Sequence, residues 1–91
     1  AYTDLVARAY DIPPALAGRG VADLEALFPG ARVFVLRLRR RGRLVDAVPG
    51  AMALEAGDRV ALAGRLEVLA GGANPLHEHE AQDRELLDIP T

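Results

Sequence analysis

The sequence predicts a small α+β domain: two layers, a mainly antiparallel sheet of about four strands, one main helix and a short C-terminal helix. Three observations carry this. Short segments with strand-like alternation end at Pro-Gly, Arg-Gly or Pro-Pro signals. A single stretch shows clear helical spacing. The chain has 91 residues, 51% hydrophobic and 26% charged, enough for one modest core and too apolar for disorder.

The first strand is expected over residues 4–12, with Val6, Tyr10 and Ile12 on one face and Leu5, Ala7 and Ala9 on the other. Apolar residues on both faces suit a strand covered on both sides. Pro13-Pro14 ends it, because neither residue can donate to a ladder. A loop follows, with glycines at 18 and 20. The helix is expected over 21–28, where Val21, Leu24, Leu27 and Phe28 form one apolar stripe. Asp23 and Glu25 favour its N-terminal end, and Pro29-Gly30 stops it.

Residues 32–40 read as a strand with Phe34, Leu36, Leu38 and Arg40 on one face, and Val33, Val35, Arg37 and Arg39 on the other. Arg41-Gly42 is its turn, and 43–48 return as the hairpin partner until Pro49-Gly50. The segment Leu54-Glu55-Ala56-Gly57-Asp58 feeds the last strand, 59–64, and 65–70 close as a short helix. From Gly71 the composition turns to linker chemistry: Gly71-Gly72-Ala73-Asn74-Pro75, then a polar stretch from His77 to Glu85. The domain is therefore placed at 3–70, with 71–91 as a linker and the start of a second copy. That second copy is suggested by Asp11-Ile12-Pro13 recurring as Asp88-Ile89-Pro90. The opening at Ala1 reads like an excised domain.

Composition excludes several functions. There is no Cys, Ser, Lys or Trp, so thiolate and serine nucleophiles, Schiff bases, Cys-ligated zinc and a P-loop lysine are all ruled out. Asp11, Asp46 and Asp58 are scattered carboxylates without an evident partner, so no catalytic residue is assigned and no enzyme is expected. A net charge of −2 and a pI near 5.6 argue against a nucleic-acid partner. No apolar run exceeds four residues, far short of the ~20 that span a bilayer. Gly18-Arg19-Gly20 lacks the third glycine of a dinucleotide fingerprint, because position 23 is Asp. His77-Glu78-His79-Glu80 has metal-ligating side chains but no further ligands nearby, so no metal site is assigned.

Several short motifs occur in a fixed order: Gly18-Arg19-Gly20-Val21 with Leu24; Val33-Phe34-Val35-Leu36; Arg40-Arg41-Gly42; Leu54-Glu55-Ala56-Gly57-Asp58-Arg59-Val60; and Gly64. Together they resemble the TrkA C-terminal domain, also called RCK-C. The segment from Ala63 to Leu69, with Asp83 to Pro90, is similar to the paired RCK-C domains of aspartate:alanine exchanger-type transporters. The resemblance implies a non-catalytic, ligand-sensing regulatory domain on the cytoplasmic face of the cell membrane. Such a domain is attached to a transporter and forms a homodimer or pairs with a sister RCK-C domain. Alternatives are a purely structural assembly module, or an RCK-C domain of a potassium or sodium transport system.

The resemblance also frames the candidate site. Arg37, Arg39, Arg40, Arg41 and Arg43 fall within seven residues, and guanidinium forks match carboxylates and phosphates. Arg37, Arg39, Arg40 and Arg43 are the candidate ligand-binding residues, with Arg40 at the family's Arg-x-Gly position. No cofactor is expected beyond a nucleotide or other small anionic effector. The competing reading has these arginines decorating a sheet edge and discouraging edge-to-edge pairing. Gly42, Gly57 and Asp58 are assigned to turns, with Gly57 supplying a positive φ and Asp58 bonding back to its own turn.

Overall fold

The computed structural model describes residues 5–28 and 32–88. The predicted α+β fold is observed, as a five-stranded antiparallel sheet with short helices on its faces. The elements are β1 (Leu5–Asp11), α1 (Val21–Glu25), β2 (Phe34–Arg40), β3 (Arg43–Val45), β4 (Arg59–Arg65), α2 (Leu66–Leu69), β5 (Glu80–Ala81) and α3 (Arg84–Leu87). Strand order is β3-β2-β4-β1-β5. Since β4 pairs antiparallel with both β1 and β2, those two run parallel on either side of it, and α1 lies in the crossover between them.

Helix α1 is shorter than its apolar stripe suggested. Regular geometry ends at Glu25, and the chain tightens through Leu27 N–H to Leu24 C=O and Phe28 N–H to Glu25 C=O. Leu24 and Phe28 are nonetheless buried together. The Pro29-Gly30 stop lies outside the described residues. At the other end of α1, the free amides of Val21 and Ala22 donate to the carbonyls of Met52 and Gly50, at 2.8 and 2.9 Å. A neighbouring loop thus satisfies groups that a helix start leaves unpaired. The Glu25 carboxylate accepts from Val35 N–H at 2.8 Å, tying α1 to β2.

Most of the core lies on one face of the sheet. Tyr10, Val35, Leu38, Val60 and Leu62 from the strands meet Val21, Leu24, Phe28, Leu54 and Leu69. Asn74 and Leu76 lie beneath this layer. The Asn74 amide donates to Leu69 C=O at 2.8 Å and to the Tyr10 hydroxyl at 3.2 Å, while its carbonyl accepts from Leu76 N–H at 2.8 Å. Burial raises the pKa of the Tyr10 hydroxyl, outweighing the opposite influence of the Asn74 donor. The second face carries a smaller cluster of Ala9, Ala61 and Leu86, flanked by Leu36, Leu44, Ala81 and Leu87. Successive residues Ala9 and Tyr10 are both fully buried, so β1 is covered on both sides at its centre.

Two sequence expectations need correction. Strict alternation through β2 put Phe34 and Leu38 on one face, yet a β-bulge between Val35 and Arg37 breaks it. Val35 pairs with Leu62 and Leu38 with Val60 on the core face. Phe34, Arg37 and Arg39 pair with Ala63, Ala61 and Arg59 on the other. The second correction concerns the expected linker. Within 71–88, Asn74, Leu76 and Leu86 are buried, Glu80–Ala81 adds a strand to β1, and α3 packs on the sheet. Isolated apolar anchors and backbone pairing, rather than periodicity, hold this segment. The Ile89-Pro90 part of the Asp-Ile-Pro echo lies outside the described residues, as do residues 3 and 4 of the domain start.

Candidate ligand-binding site

The β2–β3 hairpin turns through two residues, Arg41 (φ 51) and Gly42 (φ 78). Two positive φ values are what a tight hairpin turn matching strand twist requires, and only the second is cheap here. Alternation along β2 divides the candidate arginines between the two faces, as the sequence suggested.

Arg40 extends to the core side. Its Nε and Nη2 clasp both oxygens of Asp58 at 2.9 and 2.7 Å; Nη2 also donates to Ala53 C=O at 2.8 Å, and Nη1 lies 3.2 Å from Glu55. Asp58 is 2% exposed and accepts a further bond from Glu55 N–H at 2.8 Å. The preceding Gly57 has φ +88. The Asp58 contact, more than any other, raises the Arg40 pKa. Arg40 therefore holds a turn together, and its planar fork is already filled.

Arg37 and Arg39 extend to the opposite face with Arg59 of β4. Arg39 grips Asp83 with two bonds of 2.9 and 3.0 Å and reaches Glu85 at 2.9 Å. Arg59 pairs with Asp11 at 2.7 Å and approaches Asp83 at 3.4 Å. Arg37 takes Asp46 at 2.8 Å and donates to the carbonyls of Glu85 and Asp88, at 3.1 and 3.3 Å. The Arg39 contact is the main reason the Asp83 carboxyl is held at about 2, with the α3 amide of Leu86 adding to it. The three carboxylates considered for acid–base chemistry, Asp11, Asp46 and Asp58, are each held by an arginine.

Arg43 differs from these three. It is exposed and has no ion-pair partner among the described residues. With Arg40, Arg41 and Val45 it lines an open concavity of about 370 Å³ at the hairpin tip. His77 is exposed and His79 half-buried in a single 3-10 turn, while Glu80 bonds to Arg8 at 3.1 Å. The structure therefore disperses the four candidate arginines over a turn clasp (Arg40), a sheet face (Arg37 and Arg39) and a free tip (Arg43). Sequence reading missed Asp83 and Glu85 as their partners, and Arg59 as a second donor to Asp83. Asp83 did carry a signal, since an Asp three residues before a buried Leu is a helix N-cap spacing.

Comparison with known proteins bears on this arrangement. Over 74 residues the chain is 35% identical to an uncharacterized transporter of Shewanella oneidensis, an alignment covering 80% of this chain and 13% of that protein. Over 75 residues it is 39% identical to an uncharacterized transporter of Bradyrhizobium diazoefficiens, covering 82% of this chain and 14% of that one. The chain thus spans about one-seventh of the length of these curated relatives. No protein-family model matches it, and no solved structure does. Among the described residues, no helix is long and apolar enough to cross a membrane.

Proposed function

We propose that this chain is a non-catalytic regulatory domain of a membrane transporter, of the TrkA C-terminal type found in aspartate:alanine exchangers, lying at the cytoplasmic face. The observation that carries the reading is its similarity to two transporters, each about six times its length. A compact α+β unit with no spanning helix among its described residues suits an appended domain.

The mechanism is a population shift. An effector that binds one domain arrangement more tightly than another biases the attached transporter by that difference in affinity. An anionic effector, nucleotide or acidic, finds its best contact at the hairpin tip, because Arg43 is uncommitted and Arg41 is 78% exposed at its side chain. The test is calorimetric titration of the protein with cyclic dinucleotides, adenine nucleotides and acidic amino acids. Heat from at least one is expected, and Arg43→Ala should abolish it. Arg40→Ala is a poor probe, since it also strips Asp58 of its partner.

A second reading, an assembly module that binds no small molecule, has its own support. Phe34 is 53% exposed and Leu5 72% exposed. They flank the Ala63 and Ala7 positions on the sheet face that α3 leaves partly open. Absence of heat from every candidate, together with a concentration-dependent dimer, would favour this reading.

A further inference from the structure

We propose that Arg37, Arg39 and Arg59, with the alanine floor between them, form a recognition site for a short acidic segment. Its ligand is a carboxylate, a second carboxylate two residues on and a leucine beside it, and the chain's own residues 83–86 now fill it. The inference goes beyond the transporter reading and does not depend on it.

The receiving surface belongs to the sheet and not to residues 80–88, the strap that covers it. Arg37 and Arg39 come from β2, Arg59 from β4, and Ala9 and Ala61 from the central strands. The large core on the opposite face holds those strands together. Two of the arginines are braced from outside the strap, Arg37 by Asp46 and Arg59 by Asp11. Removing the strap therefore leaves a shaped, positively charged site.

The occupant is bound in the way a ligand is bound. The Asp83 carboxylate receives donors from Arg39 (twice), Arg59 and the Leu86 amide, and its side chain is 8% exposed. Glu85 takes the remaining reach of Arg39. Leu86 drops between Ala9 and Ala61 and is fully buried. The Glu85 and Asp88 carbonyls accept from Arg37, which fixes the direction of the segment. Apart from these contacts, the strap is held by two paired residues of β5 and one bond from Arg8 to Glu80. Such a segment opens locally while the ladder beneath stays closed. An acidic segment supplied in trans then competes for the same arginines, with the strap acting as an internal inhibitor.

The test uses the full chain carrying Asp83→Ala and Leu86→Ala, titrated with a fluorescein-labelled peptide of residues 82–88. Saturable binding is expected, at least about tenfold tighter than to the unsubstituted chain, whose site is filled. Adding Arg39→Gln should weaken it at least about tenfold, and a scrambled peptide should bind no better than that. The proposal fails if the doubly substituted chain keeps its β1–β4 amide protection yet gains no affinity, or if Arg39→Gln changes nothing. Should that chain not fold, amide exchange of the unsubstituted protein decides. Residues 80–88 should exchange at least about tenfold faster than the β1–β4 ladder, and faster again in 1 M salt. Exchange in step with the ladder overturns the proposal.

Discussion

The two faces of the sheet are built from the same strands and held by different forces. On the first, thirteen buried side chains from β1, β2, β4, α1 and α2 and the segments joining them interlock. On the second, three small or single apolar contacts are ringed by arginine–carboxylate pairs. Apolar burial is proportional to area and is not screened by salt, whereas partly exposed ion pairs weaken as ionic strength rises. The first face therefore sets whether the protein folds, and the second sets what lies on top of it.

The largest test of this contrast is Leu62→Ala at the centre of the first face. Truncating a fully buried leucine is expected to cost about 3 kcal/mol, read as a lower urea midpoint, with strap and core melting together. Asn74→Ala removes the donor to Leu69 C=O and to the Tyr10 hydroxyl. It should cost about 2 kcal/mol, because buried polar groups are left unmatched. Arg40→Ala isolates the buried Asp58 carboxylate and should lower global stability by about 2 kcal/mol. Arg39→Ala, chemically the same change on the other face, should instead leave the urea midpoint nearly unmoved and accelerate exchange only in residues 80–88. Equal effects from the two arginines would erase the distinction.

Acid sharpens the comparison further. The Asp83 carboxyl is held at about 2 against an ordinary 3.8. A depressed folded-state pKa stabilises above the unfolded value and loses that contribution as pH falls. Strap protection should therefore be complete at pH 5 and decline by about tenfold or more between pH 4 and 2. The β1–β4 ladder should open later. The smallest effect concerns the hairpin tip. Arg41→Asn relieves a left-handed backbone on a long side chain and should raise stability by about 0.5 kcal/mol in thermal unfolding.

What the residues revealed in advance follows the range of each interaction. β1, β2 and β4 could be read from alternation, and their ends from proline and glycine, because those signals are local. The bulge was hidden: Val33 to Arg40 alternates plausibly in either phase, and only pairing with Val60 and Leu62 chooses between them. The arginine cluster was visible as composition, but its meaning depended on acidic partners 44 residues away in the chain. The strap escaped notice because one leucine and one capping aspartate create no periodicity.

The bulge in β2 has one more consequence. Two residues there stand opposite one, so losing Leu36 would leave Val35 facing Leu62 and Arg37 facing Ala61 as before. A deletion beyond the bulge, at Leu38, would trade the strand's inner and outer side chains from that point on, carrying Arg40 to the face that Arg39 now serves. This strand thus has a single spare link, and its length is otherwise as fixed as the spacing of teeth on a key.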